Sequence, residues 1–289
     1  MPLNGGTSVR LNFTLLGNDD VRLFNFASSD TSSAFRISPD SHRVVYVIDR
    51  GFGGGAELIS TSIDSSDGVL LNFFNFDQIN SPLVFAYEIS PDSQKVVFTG
   101  SQNATADASI GINSVPILGG DPNSIGPSFF SGERLGADIR ISPNSQRVIF
   151  EVTNADGTEA LLSQSISGDP LSVSFLTRPG EFFTIKTISP DSQRVLYLGT
   201  RTGTLELFSA SISDDGPTTR LNGDLPIGSF VERDFQISEN GGFVVYRADQ
   251  NIFGQVELFA RRLFEPPPEL ESFCFQVIAS NGNVATICL

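Results

Sequence analysis

A ten-residue segment, Ile37-Ser38-Pro39-Asp40-Ser41-His42-Arg43-Val44-Val45-Tyr46, recurs four more times along the chain. The copies start at Ile89 (ISPDSQKVVF), Ile141 (ISPNSQRVIF), Ile188 (ISPDSQRVLY) and Ile237 (ISENGGFVVY), at spacings of 52, 52, 47 and 49 residues. A period of this length confines the chain to repeat architectures, in which each unit is one small module that buries its apolar surface against its neighbours.

Each copy reads the same way. A short extended stretch, such as Ala34–Ile37 or Ala86–Ile89, leads into Ile-Ser. Ser-Pro-Asp-Ser follows. Proline sets φ for the first corner of a type I turn, and the Ser and Asp side chains bond nearby backbone. The turn joins a first strand to a second: Val44–Val47, Val96–Phe98, Val148–Phe150, Val195–Tyr197 and Val244–Tyr246. These bulky runs do not alternate with polar residues, as expected of a strand whose sheet is covered on both faces. A Gly/Asn/Asp-rich loop and a third strand come next, as in Glu57–Ile63, Glu206–Ile212 and Glu257–Ala260. A weaker fourth strand closes the unit, as in Val69–Asn72, Leu171–Phe175 and Thr218–Asn222. Four antiparallel strands in about 50 residues is a propeller blade. The 3.6-residue period of helical repeats is absent.

The fifth copy stops after its third strand, near Ala260 to Leu263, and lacks the closing Leu-Asn segment. The N-terminus carries one: residues 5–12, ending Val9-Arg10-Leu11-Asn12, resemble Gly216–Asn222. The expected fold is therefore all-β, a five-bladed propeller over residues 1–264 whose last blade is completed by the N-terminal strand. Such closure removes exposed sheet edges. Residues 265–289 read as a stiff Pro266-Pro267-Pro268 linker and a C-terminal hairpin around Ser280-Asn281-Gly282. In that hairpin Cys274 falls opposite Cys288, so one disulfide and an oxidising compartment are expected.

The repeats resemble the TolB-type propeller repeat of bacteria, whose hallmark is a Ser-Pro-Asp-Gly turn followed by Lys or Arg and an apolar strand. The likeness runs over nearly all of residues 5–264. Four copies depart from it in replacing glycine by serine, at Ser41, Ser93, Ser145 and Ser192, and only the fifth keeps Gly241. Five blades also differ from the six of the best-known members. The resemblance implies the fold and leaves the ligand open, because such repeats carry unrelated functions.

Composition narrows the chemistry. A net charge of −15 opposes nucleic acid and anionic membrane partners. No apolar run is long enough to span a bilayer. The start, Met1 to Arg10, has no leader-like pattern, which leaves a cytosolic protein or one whose signal peptide has been removed. The lone histidine, His42, stands where the other turns have Gln94, Gln146, Gln193 and Gly242, and reads as a surface substitution. Cys/His zinc ligation lacks ligands, and no metal or cofactor is expected. The Asn154–Thr158 loop has oxygen donors but not the spacing of a calcium loop, and reads as a turn.

The innermost strands of a propeller surround its axis. The residue before each repeat's isoleucine is Arg36, Glu88, Arg140, Thr187 or Gln236, and two positions earlier lie Ala34, Ala86, Asp138, Ile185 and Asp234, on the same face by the period of two. Arg36, Glu88, Asp138, Arg140, Thr187, Asp234 and Gln236 are thus the candidate polar ligand set. Inter-blade ion pairs are the alternative reading. Most of the 25 phenylalanines fall in strands, while Phe73, Phe74, Phe76, Phe129 and Phe130 fall in connections, as caps or as an apolar rim. The expected function is a non-catalytic, secreted or periplasmic scaffold, monomeric, that recognises a protein or glycan through one face. The rival is a carbohydrate-active hydrolase. It would need two carboxylates about 5 to 9 Å apart, drawn from Glu88, Asp138, Asp234 and Glu232.

Overall fold

A computed structural model describes residues 8–12, 15, 19–21, 35–49, 55–65, 67–72, 83–101, 110–126, 134–136, 138–168, 174–177, 182–201, 203–213, 218–263, 274–278 and 284–288. Every regular element among them is a β-strand, and every pairing is antiparallel. The chain divides into two compact units, Met1–Gly223 and Asp224–Leu289.

The first unit holds four sheets, one per repeat. The first comprises β1 (Asp20–Val21), β2 (Phe35–Ile37), β3 (Arg43–Asp49), β4 (Ala56–Ser62) and β5 (Gly68–Leu70). The second comprises β6 (Leu83–Ile89), β7 (Lys95–Ser101), β8 (Ile110–Pro116) and β9 (Asn123–Ser124). The third comprises β10 (Arg134–Leu135), β11 (Arg140–Ile141), β12 (Arg147–Thr153), β13 (Glu159–Ser165) and β14 (Ser174–Phe175). The fourth comprises β15 (Phe182–Ile188), β16 (Arg194–Arg201), β17 (Thr204–Ser211) and β18 (Thr219–Arg220).

The unbroken apolar runs of the second strands have a simple cause. Val96 and Phe98 of β7 face back and join Val45, Val47, Leu58 and Leu71 of the first sheet in one core cluster. Val97, between them, faces forward and joins Phe150 and Val148 of the third. Ile149 in turn faces Val195, Tyr197 and Phe208 of the fourth. A strand between two sheets needs apolar side chains at consecutive positions.

The fourth strands are short and are held by a clasp. Leu71, Ile125, Leu176 and Leu221 each donate their N–H to the third strand, to the carbonyls of Leu58, Ile112, Leu161 and Leu207 at 2.7, 3.0, 2.8 and 2.8 Å. The next side chain completes the bond pattern. Asn72 Oδ1 accepts from Leu58 N–H at 2.9 Å while its Nδ2 donates to the Ala56 carbonyl at 2.8 Å. Asn222 accepts from Leu207 N–H in the same way, and Thr177 Oγ1 from Leu161 N–H. The recurring Leu-Asn pair is therefore a clasp that satisfies backbone groups where the ladder ends.

Residues 5–7 lie outside the described residues, and residues 8–12 are irregular rather than the expected strand. Leu11 attaches to the back face of the first sheet by side-chain packing. It packs on the cluster of Val44, Tyr46, Ile48 and Ile59, and its carbonyl accepts from the Tyr46 hydroxyl at 3.4 Å.

The second unit contains a three-stranded sheet, β19 (Val231–Ile237), β20 (Phe243–Ala248) and β21 (Glu257–Arg262), and the hairpin β22 (Cys274–Ile278) and β23 (Val284–Cys288). No fourth strand lies beside β21 among the described residues, and Leu258 is 70% exposed where its counterparts Leu58 and Leu207 are buried. The hairpin register sets Cys274 opposite Cys288, as expected from the sequence. The cysteine side chains lie outside what is described.

Candidate functional site

In each of the five repeat sheets the pairing of the first strand with the second is interrupted at a shared place. In the first, Val21 pairs with Ile48 and the next pair is Phe35 with Tyr46. In the third, Leu135 pairs with Val152 and then Arg140 with Ile149. In the second, fourth and fifth the register shifts between Val84 and Ala86, Thr184 and Lys186, and Val231 and Phe235. In the second, fourth and fifth sheets extra residues therefore sit on the first strand, beside the pairs made by the second strand's aromatic, Phe98, Tyr197 or Tyr246. Bulges of this kind re-aim side chains. They also correct the expectation of an unbroken period of two: Ile185, Asp138 and Asp234 all fall within irregular stretches.

The candidate charges form pairs within and between repeats. Arg36 Nη1 lies 3.2 Å from Glu88 Oε2, joining the first and second sheets, and the guanidinium stands 5.9 Å from the centre of the Tyr87 ring. Tyr87 in turn donates its hydroxyl to the Val45 carbonyl at 3.1 Å. Burial raises the Tyr87 pKa, and the Glu88 charge adds to this while Arg36 opposes it. In the third sheet Arg140 Nε lies 2.9 Å from Asp138 Oδ1, close but not aligned as a hydrogen bond. In the fifth, Arg247 Nε donates to both oxygens of Asp234, at 3.1 and 2.9 Å, a partner the sequence did not suggest. Thr187 of β15 and Gln236 of β19 are exposed. Phe35, Arg36, Ile37, Pro39, Glu88 and Ile89 line a cavity of about 420 Å³. A second, almost wholly apolar cavity of about 270 Å³ lies between Leu11, Val21, Phe35, Ile37, Val44 and Tyr46.

Chemically the Arg36–Glu88 wall of the larger cavity is a self-neutralised polar patch next to apolar surface. A general acid must hold a proton toward a leaving group. Glu88, Asp138 and Asp234 each direct an oxygen at an arginine instead. Among the described residues no group of three or more His, Cys, Asp or Glu is arranged to hold a metal ion.

The other candidates fall into ordinary roles. His42 is exposed beside Asp40, with Nδ1 3.5 Å from its carboxylate. The Ser38 hydroxyl, then the His42 N–H, lower the Asp40 pKa. In the Asn154–Thr158 loop Asp156 accepts from the Thr158 hydroxyl and N–H at 2.6 and 2.9 Å, and these bonds lower its pKa. Those contacts make the loop the tight turn expected. Asp249, 3% exposed, ties two turns of the second unit together by accepting from Phe230 N–H at 2.7 Å and Gly254 N–H at 3.0 Å. Burial alone would raise its pKa; the Gly254, Phe230 and Ser229 donors outweigh that and lower it. Phe73, Phe74, Phe76, Phe129 and Phe130 lie outside the described residues.

Among solved structures, a TolB of Agrobacterium tumefaciens is similar at 17% identity and TM-score 0.44, covering 88% of this chain and 79% of that one. A TolB of Acinetobacter baumannii is similar at 16% identity and TM-score 0.45, covering 86% and 61%. An oligogalacturonate lyase in complex with manganese is similar at 9% identity and TM-score 0.51, covering 80% and 64%. This chain thus spans under two thirds of the length of the latter two. No family model and no curated protein sequence matches it. At these identities the likeness bears on the fold alone, an all-β array of antiparallel sheets.

Proposed function

We propose that the protein is a non-catalytic binding scaffold that recognises a protein or glycan through one face, with Arg36, Glu88, Asp138, Arg140 and Thr187 as the candidate contacts of the first unit and Asp234 and Gln236 those of the second. The observation that carries this reading is the Arg36–Glu88 pair at the wall of the 420 Å³ cavity, half-buried and already neutralised. Such a wall offers hydrogen-bonding groups to a ligand without holding an unpaired acid ready for proton transfer. The rival, a carbohydrate-active hydrolase, would draw on Glu88, Asp138, Asp234 and Glu232. Glu88→Gln and Asp138→Asn separate the two. For a scaffold, wild type shows no turnover on a broad glycan panel, and Glu88→Gln weakens ligand capture while folding persists. Turnover in wild type that is lost in either amide variant overturns the proposal.

The architecture proposed with it is a monomeric five-bladed propeller over residues 1–264, with residues 265–289 as a separate tail. Support comes from the four complete repeat sheets and from the placement of Leu11. On the first sheet's back face Leu11 takes the position that Leu71, Ile125 and Leu176 take on the sheets that follow them. That is where a preceding blade's fourth strand would end. The secreted or periplasmic setting rests on a proposed Cys274–Cys288 disulfide, which the hairpin register supports and which would stabilise the tail by on the order of 3 kcal/mol. Intact mass and thiol titration under non-reducing, denaturing conditions are expected to find no free thiol. Two titratable thiols would remove the argument for an oxidising compartment.

A further inference from the structure

Ser41, Ser93, Ser145 and Ser192 all occupy the left-handed region, at φ of 60° or 61°, and Gly241 takes the same place in the fifth turn at 69°. Serine is not a residue that visits this region routinely; glycine, asparagine and aspartate are. Each serine closes its own turn identically, donating its N–H to the carbonyl three residues back at 2.8 Å, and glycine does so equally well at Gly241. The local turn therefore gives no reason for the side chain.

The reason lies in the neighbouring repeat. Ser93 Oγ accepts the N–H of Asp40, Ser145 Oγ that of Asp92, and Ser192 Oγ that of Asn144, each at 3.0 Å. The partners are 48 to 53 residues apart in sequence. All three bonds run the same way, from a turn's third residue to the serine of the following turn. The three hydroxyls are in buried residues, whereas Ser41, with no preceding turn in its unit, is exposed. In the last turn of the first unit Asp191 is exposed, and among the described residues its N–H has no partner.

We propose that Ser93, Ser145 and Ser192 are inter-repeat clasps, kept in a strained backbone conformation because their hydroxyls lock the preceding turn and couple adjacent sheets. In a repeat array the coupling between neighbours decides whether units unfold together. The turn is otherwise self-sufficient, so the clasp is separable from folding of the hairpin itself.

The test is Ser145→Gly and Ser145→Ala in the full chain, read by thermal melting and by amide exchange. For a serine that only forms its turn, glycine relieves strain and raises the midpoint. For a clasp, Ser145→Gly lowers the midpoint, by about 2–4 °C, and Ser145→Ala, which keeps the strain and loses the bond, lowers it further. In wild type the amides of Asp40, Asp92 and Asn144 exchange at least about tenfold more slowly than that of Asp191, the loss of one bond's worth of protection. In Ser145→Gly the Asp92 amide alone joins the fast class. A midpoint equal to or above wild type for Ser145→Gly, or unchanged protection at Asp92, overturns the proposal; should Ser145→Ala fail to fold, the exchange result on the glycine variant decides.

Discussion

Removal of residues 1–12 lowers the unfolding midpoint sharply, and Leu11→Asp alone reproduces much of the loss. The reasoning starts from the sheets that follow. Leu71, Ile125 and Leu176 are almost fully buried, each between its own sheet and the back face of the next. The back face of the first sheet has the same composition, with Val44, Tyr46, Ile48 and Ile59, and Leu11 is what covers it. Phe35 and Ile37 beside it are already 52% exposed, so this face has little cover to spare. Truncating a buried leucine costs about 2–5 kcal/mol. Leu11 is half-buried, which puts its truncation near the lower end, but a carboxylate there would also be forced into apolar contact. The whole-segment deletion additionally removes the carbonyl that accepts from the Tyr46 hydroxyl and one wall of the 270 Å³ cavity. Differential scanning calorimetry on the two variants measures both. A truncated chain that melts with the intact one shows that the segment is no part of the fold, and the five-bladed closure proposed above falls with it.

What the sequence disclosed was whatever each repeat must restate for itself. The Ser-Pro-Asp turn was legible because its bonds are local: Ser38 Oγ to Asp40 Oδ1 at 2.5 Å, His42 N–H to Asp40 at 3.1 Å, and the same set in later copies. The second strands were legible because a sheet packed on both faces admits only apolar neighbours, as Val96, Val97 and Phe98 show. The first-strand bulges were not. They are marked by no common residue type: Phe85 and Ile185 are apolar, while residues 232–234 are Glu, Arg and Asp. Because the bulges break the period of two, the partners of the candidate charges were only partly legible. Arg36–Glu88 and Asp138–Arg140 proved to be pairs, but the partner of Asp234 is Arg247, on another strand. The turn serines were read as turn formers for the same kind of reason: their hydrogen-bond partners lie a whole repeat away.

Phe150→Ala is expected to be the most damaging single truncation in the first unit. The ring is fully buried and lies in the cluster that joins Val97, Ile112 and Ile125 of the second sheet to Ile141, Val148 and Val152 of the third. Its loss opens a cavity on the seam between two sheets, where neither can collapse without pulling its own ladder apart. The cost of such a change is about 3–5 kcal/mol, a fall in midpoint on the order of 10 °C for a chain of this length. Phe150→Leu, which keeps much of the volume, should cost well under half as much. The companion substitution is Phe98→Ala, whose ring fills the preceding seam with Val45, Leu58 and Leu71. The two rings belong to different clusters, so their effects should add. The shape of the double variant's melt is the sharper readout. If the clasps and seams couple the sheets as argued, it unfolds in one transition at a lower temperature. Two resolved transitions would mean that sheets on either side of a weakened seam unfold independently, and that nearest-neighbour coupling in this array is weaker than the packing implies.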